Sequence, residues 1–130
     1  MRIPLTVGAA VLVAGTMIGG GALLAPRADA QAAPVRPAAF AACAICHKTG
    51  PTDTSTMGPS LWKIGGRRAG AATFNYSPAM KGSNIVWNKQ TLIAFLTDPK
   101  KVIPGNRMAY MGQKNPKTAA EIADYLMKLK

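Results

Sequence analysis

The spacing of hydrophobic positions predicts an all-α chain of a few short helices joined by long loops, with no convincing strand pattern. In one segment Leu92, Phe95 and Leu96 recur at i, i+3 and i+4, which is the spacing of one helix face. Asn88 lies just before them and is a good N-cap residue. We expect this helix to end at the Asp98–Pro99 pair, because proline cannot continue a helix.

The last predicted helix has a clear start signal. Thr118 and Glu121, three residues apart, match a capping box. The apolar face that follows consists of Ile122, Leu126 and Leu129. We therefore expect this helix to be capped at Thr118.

The rest of the chain contains less regular structure. An Ala-rich stretch from Ala38 to Cys46, with Phe40 on one side, predicts a short helix, and Leu61–Ile64 predicts an irregular turn. Glycine, proline and small polar residues predict loops at Lys48–Pro59, Thr73–Asn84 and Lys100–Lys117. Loops of this length are unusual in a small domain unless something else orders them.

The first predicted helix runs into a compact chemical motif, Cys43-Ala44-Ile45-Cys46-His47. A C-x-x-C pair with histidine directly after it is the attachment signature of a c-type haem. Each thiol can add to one vinyl group of the porphyrin, and the imidazole can bind the iron as the proximal ligand. The motif predicts one haem c, covalently bound through Cys43 and Cys46, with His47 on the iron. Such a haem would also order the loops around it.

Three other interpretations of the cysteine pair fit less well. A zinc site usually needs four N or S ligands, and the chain has two Cys and one His in all. A thioredoxin-like pair would follow a strand, whereas Pro34, Pro37 and an Ala-rich run precede these cysteines. A disulfide across two residues closes a strained ring.

The N-terminal residues predict export. Met1-Arg2 is positively charged, residues 3–25 are apolar or small, and Ala28-Asp29-Ala30 is a suitable signal-peptidase site. We interpret residues 1–30 as a signal peptide. The alternative is an uncleaved anchor, because residues 3–25 are nearly long enough to span a bilayer. Either form places the folded part in the periplasm, which agrees with haem attachment outside the bacterial cytoplasm.

One domain remains after this segment. Residues 31–37 contain two prolines and predict a linker, and residues 38–130 form the domain. Without Arg2, Arg27 and Asp29, the remaining 14 basic and 4 acidic residues give a net charge of +10. Such basicity alone permits nucleic-acid or membrane-surface binding. No nucleic-acid module is recognisable, and export argues against that partner, so we expect acidic protein faces as partners.

The second iron ligand is not fixed by the motif. No other His or Cys remains, which leaves methionine, lysine or an open position. Met80, Met108 and Met111 lie in predicted loops. Met108 is the first choice, because the turn-forming stretch Pro104–Arg107 precedes it between two predicted helices. Met111 is the second choice.

From about Phe40 to its C-terminus the chain resembles class I cytochromes c, the group of mitochondrial-type cytochromes c and bacterial cytochromes c2. The matching stretches, in family order, are Cys43–His47, Gly58–Leu61, Gly66–Gly70, Phe74–Ser77, Trp87, Thr91–Leu96, Asp98–Lys101 and Pro104–Met108. The resemblance implies the class I cytochrome c fold, with short helices and long loops wrapped around one covalently attached haem c.

The resemblance also implies an axial ligand and its supports. Met108 matches the axial methionine, and Pro59 matches the proline whose carbonyl accepts the proximal imidazole proton. Phe40 and the Leu126 face of the last helix match the crossing of the terminal helices in the family.

Four more residues match groups near the haem propionates. Tyr76 and Trp87 match residues that hydrogen-bond one propionate, and Arg67 matches the arginine that offsets its charge. Asn106 stands where a small polar residue contacts the other propionate.

Two residues depart from the family pattern. Phe95 stands where many members have a tyrosine that hydrogen-bonds the methionine sulfur, and its loss should alter the reduction potential. Met80 stands where a polar residue often joins an internal water network, so we expect a drier pocket. Neither change removes a ligand.

The resemblance implies an electron carrier rather than an enzyme, and we expect a monomer. Its expected partners are respiratory membrane complexes, a bc1-type complex and a terminal oxidase, in preference to a photosynthetic reaction centre. The basic residues expected to surround the haem edge and to steer docking are Lys48, Lys63, Arg67, Arg68, Lys100, Lys101, Arg107 and Lys114. The alternative is a haem enzyme or gas sensor, which would need Met108 to be absent from the iron.

Overall fold

The computed structural model describes residues 32–130. They form a 3-10 turn and five α-helices: Ala38–Phe40, then α1 Ala41–Ala44, α2 Pro78–Lys81, α3 Lys89–Thr97, α4 Pro99–Val102 and α5 Pro116–Met127. Within this range no strand occurs, and one antiparallel bridge joins Arg68 to Val86. The prediction of an all-α fold with short helices and long loops is confirmed. The predicted signal peptide or anchor lies outside the described residues.

The core lies where α3 packs against α5. The buried side chains of these two helices are Leu92, Phe95, Leu96, Ala119, Ile122, Ala123, Tyr125 and Leu126. The two alanines, which are fully buried, let the helices approach closely. Phe40 from the N-terminal turn is 1% exposed and packs edge-to-face on Tyr125, with ring centroids 5.0 Å apart. The implied meeting of Phe40 with the last helix is therefore present.

The helix predicted after Asn88 is confirmed. Asn88 Oδ1 accepts a hydrogen bond from Thr91 N at 2.9 Å, and Thr91 Oγ1 accepts one from Asn88 N at 2.8 Å. This reciprocal pair is a capping box. The helix ends at Thr97, two residues before Pro99, as expected.

Proline begins three of the five helices. The residue before each proline accepts a hydrogen bond from a backbone N–H two or three residues later, through the side chains of Ser77, Asp98 and Asn115. Proline suits the first helical position because its φ is already helical and no intrahelical partner is needed there for an N–H. The predicted loops Thr73–Asn84 and Lys100–Lys117 are therefore wrong at α2, at α4 and at the start of α5.

Two predicted helix boundaries also differ. Thr118 is not the cap of α5, because Asn115 Oδ1 accepts from Lys117 N at 3.0 Å and from Thr118 N at 3.3 Å. The helix predicted from Ala38 to Cys46 is a 3-10 turn followed by α1, which ends at Ala44. The irregular turn predicted at Leu61–Ile64 is present, with Ile64 N bonded to Leu61 O at 3.2 Å.

None of the helices between residues 32 and 130 has the length and apolarity needed to cross a bilayer.

The corrected cap of α5 can be tested with two single variants. Asn115→Ala should lower the free energy of unfolding by about 1 kcal/mol, because two backbone N–H groups lose their acceptor. Glu121→Ala, which removes the side chain predicted to close a capping box with Thr118, should change it by less than about 0.5 kcal/mol. Denaturant unfolding of the haem-bound protein measures both. A larger loss for Glu121→Ala than for Asn115→Ala would restore the cap at Thr118.

Candidate haem site

The predicted attachment residues lie on one turn at the end of α1. Backbone hydrogen bonds run to Cys43 O from Cys46 N at 3.1 Å and from His47 N at 2.9 Å. Both cysteines are free thiols and partly exposed, so the disulfide interpretation does not describe this structure. The turn thus presents both thiols and the imidazole from five consecutive residues.

The electrostatics of Cys43 differ from those of a redox-active pair. Burial raises the pKa of the Cys43 thiol, and the nearby Cys46 raises it further, whereas a backbone hydrogen bond lowers it by less. Reactive C-x-x-C cysteines instead have a depressed pKa. The zinc interpretation also lacks support, since no three His, Cys, Asp or Glu side chains in residues 32–130 are grouped to hold a metal ion.

The His47 ring is oriented by a carbonyl. Its Nδ1 lies 2.8 Å from Pro59 O. A carbonyl can only accept a hydrogen bond, so Nδ1 carries the proton and the Nε2 lone pair is left for another partner. Burial lowers the pKa of His47, an effect larger than the opposing one of the Pro59 hydrogen bond. The imidazole is therefore neutral at pH 7, in the form and tautomer that can bind iron through Nε2.

The loop after the motif closes tightly against this ring. A Cβ at Gly58 would lie 3.0 Å from Cys46 O and from the Cε1 and Nδ1 atoms of His47. Ser55 Oγ donates to Cys46 O at 2.8 Å and ties the same loop to the motif. These contacts place the Pro59 carbonyl where His47 needs it. Sequence reasoning missed Ser55, since serine in a polar loop gives no signal of its own.

The loop that carries Met108 is fixed on its N-terminal side. Asn106 is 3% exposed, and its Oδ1 accepts a hydrogen bond from Met108 N at 3.0 Å. Arg107 donates from its guanidinium to Asn75 O at 2.7 Å. Both residues before Met108 are therefore bound to other parts of the domain.

The same loop is fixed on its C-terminal side against α3. Gln113 N donates to Leu96 O at 2.7 Å. Gly112 has a φ of +92°, and a Cβ there would overlap Thr97 O and lie 2.9 Å from Thr97 C. Only glycine allows this approach. Met108 thus lies on a segment anchored at both ends.

Burial separates the candidate methionines. Met108 is half-buried and packs against the hydrophobic core, as Cys43 does. Met111, the second choice, is 87% exposed. Met80 belongs to the buried core on α2. Met108 therefore combines a fixed backbone with a side chain directed at the core.

Arg67 and Tyr76, predicted to lie near one propionate, are close to each other. The Arg67 guanidinium donates to Ser60 O at 2.7 Å and to Trp62 O at 3.1 Å. Burial raises the pKa of Tyr76, and the Arg67 charge and the Ala72 backbone lower it by less. The phenol is therefore protonated at neutral pH and can donate a hydrogen bond to an anion.

The residues that depart from the family pattern form an apolar group with Trp87. Phe95 and Trp87 are buried and pack edge-to-face, with ring centroids 5.1 Å apart. Met80 is buried in the same core. The bridge region holds Trp87 in place, since its N donates to Arg67 O at 2.9 Å and its O accepts from Gly66 N at 2.8 Å.

Asn106 has a different task from the propionate contact that the resemblance implied. Its side-chain amide donates to Pro99 O and to Ile103 O, each at 2.8 Å, while its Oδ1 accepts from Met108 N. Both amide protons are used within the protein, so neither is left for a propionate.

The basic residues expected around the haem edge fall into two groups. Seven of the eight are exposed, and Arg67 is half-buried. Four donate hydrogen bonds to other residues: Arg67, Arg68, Lys100 and Arg107. The other four are exposed lysines whose ammonium groups bind no other described residue: Lys48, Lys63, Lys101 and Lys114.

Comparison with known proteins identifies several relatives. The chain is 38% identical to cytochrome c2 of Rhodomicrobium vannielii over 112 residues, which are 85% of this chain and 90% of that protein. It is 42% identical to cytochrome c2 iso-2 of Magnetospirillum fulvum over 94 residues, covering 72% of this chain and 97% of that one. Cytochrome cH from Methylobacterium extorquens has a similar structure, with a TM-score of 0.63 at 36% identity, covering 68% and 89%. No protein-family model matches the chain.

Proposed function

The chain belongs to the class I cytochrome c family, and from this premise we propose that it shuttles single electrons through a haem c bound by Cys43, Cys46, His47 and Met108. As a member of this family it is an electron-transfer haem protein with one covalent haem c. When bound, that group supplies a one-electron couple between ferric and ferrous iron.

The observation that carries the proposal is the hydrogen bond from His47 Nδ1 to Pro59 O at 2.8 Å. It leaves Nε2 of a neutral imidazole free for the iron, and it keeps the ring from turning. The same bond adds electron density to the ring, because Nδ1 shares its proton with the carbonyl. His47 thus serves as a fixed proximal ligand.

Met108 is the proposed partner ligand on the other side. Its backbone N is held by Asn106, and its side chain faces the core rather than solvent. With His47 and Met108 both bound to it, the haem would have no iron position open to oxygen or a substrate. Because both residues are held by the domain, the same two ligands would serve both oxidation states, which favours electron transfer over chemistry at the metal.

Trp87, Phe95 and Met80 are buried together in the core and would keep the interior around the bound group dry. Arg67 and Tyr76 can offset a buried propionate charge, one by its guanidinium and the other by its hydroxyl proton. These residues therefore stabilise the bound group and keep its surroundings constant.

The ligand assignment is tested with two methionine variants. Met108→Ala should abolish the weak long-wavelength iron–methionine absorption band of the oxidised protein and let carbon monoxide bind rapidly to the reduced protein. Met111→Ala is the matched control and should change neither property, because Met111 is exposed. Rapid carbon monoxide binding to the unaltered protein would favour the alternative of an open-iron enzyme or sensor.

The proposed partners are acidic faces of a donor and an acceptor complex, of the bc1 and terminal-oxidase types. The docking contacts are made by exposed lysines whose ammonium groups bind no other described residue, among them Lys48 and Lys101. Charge steering of this kind speeds encounter and is screened by salt.

Docking is tested by its salt dependence. The bimolecular rate of electron transfer with an acidic partner should fall steeply as ionic strength rises, and Lys101→Gln should reduce both the rate at low salt and the slope. A rate that is independent of ionic strength would refute docking by charge.

The domain is proposed to act in the periplasm after cleavage of residues 1–30, with anchoring by residues 3–25 as the alternative. N-terminal sequencing of the native protein distinguishes these forms. A mature start at Gln31 supports cleavage, and a start at Met1 supports the anchor.

A further inference from the structure

We propose that Asn106 is a positioning residue that keeps Met108 on the iron, by tying the backbone of Met108 to helix α4. The inference rests on the proposed ligation by Met108. It goes further, because it assigns the strength of that ligation to one buried amide that does not touch the iron.

Every polar atom of Asn106 is bound within the domain. Its Nδ2 donates to Pro99 O and to Ile103 O, each at 2.8 Å, and its backbone N donates to Ile103 O at 3.1 Å. Its backbone O accepts from Lys100 Nζ at 2.6 Å. The residue is therefore locked onto both ends of α4, the helix Pro99–Val102 and its C-cap.

The remaining atom, Oδ1, reaches forward along the chain and accepts from Met108 N at 3.0 Å. This bond orients the first peptide of the ligand residue with respect to α4. The fixed unit is thus α4, Asn106 and the Met108 backbone, and Arg107 between them is bound separately to Asn75. Once the backbone is fixed, only the side-chain torsion angles of Met108 remain free.

An asparagine side chain fits this task better than the alternatives. Two carbonyls and one N–H surround it, and only an amide offers two donors and an acceptor together. Its orientation is also unambiguous, because a flipped amide would place Oδ1 against two carbonyl oxygens. Aspartate would make that same repulsive contact, and serine or threonine would leave one carbonyl without a partner.

The consequence concerns competition at the iron. An external ligand can bind only when Met108 leaves, so its apparent affinity measures how firmly the methionine is held. Loss of the Asn106 amide removes the tie to α4 and leaves Met108 N without its acceptor. Loss of the hydrogen bond to Met108 N should raise the apparent affinity by about 5- to 30-fold.

The test is a titration of the oxidised, haem-bound protein with imidazole, followed by loss of the long-wavelength iron–methionine band. Asn106→Ala should bind imidazole about 5- to 30-fold more tightly than the unaltered protein. Asn106→Asp, which keeps the size of the side chain, should shift the affinity in the same direction and serves if the alanine variant does not fold.

The matched control is Asn88→Ala. This variant also removes an asparagine whose side chain accepts a backbone N–H, that of Thr91 at 2.9 Å, but it does so at the start of α3. It should lower the free energy of unfolding without changing the affinity for imidazole. An equal rise in Asn88→Ala would mean that general loss of stability is the cause, and would overturn the proposal.

Failure of this inference can be told apart from failure of the ligand assignment. If Met108→Ala abolishes the band and the Asn106 variants bind imidazole as the unaltered protein does, only the role of Asn106 is refuted. If Met108→Ala keeps the band, Met108 is not the ligand, and both statements fall.

Discussion

The rest of this domain depends on the packing of α3 against α5, together with the edge-to-face contact between Phe40 and Tyr125 of α5. Phe40 is three residues from the first attachment cysteine, and α3 leads through α4 to the loop of Met108. The attachment motif and the loop of the proposed ligand Met108 are thus joined to the same small core. Each buried Phe, Leu or Ile side chain stabilises such a core by about 1.5–3 kcal/mol. Before α2, the described residues contain only the 3-10 turn Ala38–Phe40 and the four-residue helix α1, so without this core little would hold the first half of the domain in place.

The two proposed iron ligands are held by different means. His47 is fixed by one strong contact to a carbonyl, in a loop that closes on it through Gly58 and Ser55. Met108 lies on a segment whose two ends are bound to α4 and to α3. The histidine side therefore depends on close packing around one ring, and the methionine side depends on hydrogen bonds that tie a loop to helices. Neither side relies on a long helix of its own.

The sequence indicated the bound cofactor directly but misplaced several helix boundaries, for a physical reason. A covalent motif specifies its chemistry through residue identity, so Cys43, Cys46 and His47 could be read directly. Proline was interpreted only as a helix terminator, although after Ser77, Asp98 or Asn115 it begins a helix, because those side chains accept the first free N–H groups. The hydrogen bonds of Asn106 could not be predicted from the sequence, since they depend on two carbonyls that α4 brings close to its side chain. Resemblance alone assigned that residue to a propionate.

The close approach of Gly112 to Thr97 also bears on how this sequence can vary. Every missense mutation of a glycine codon adds a Cβ, and at position 112 any Cβ overlaps the Thr97 carbonyl while the φ of +92° strains the backbone. Its neighbour Met111 is 87% exposed and carries no such restriction. Position 111 should therefore tolerate amino-acid substitution, whereas substitutions at position 112 should be removed by selection. In a saturation library across this loop, functional variants should be recovered at position 111 but not at position 112.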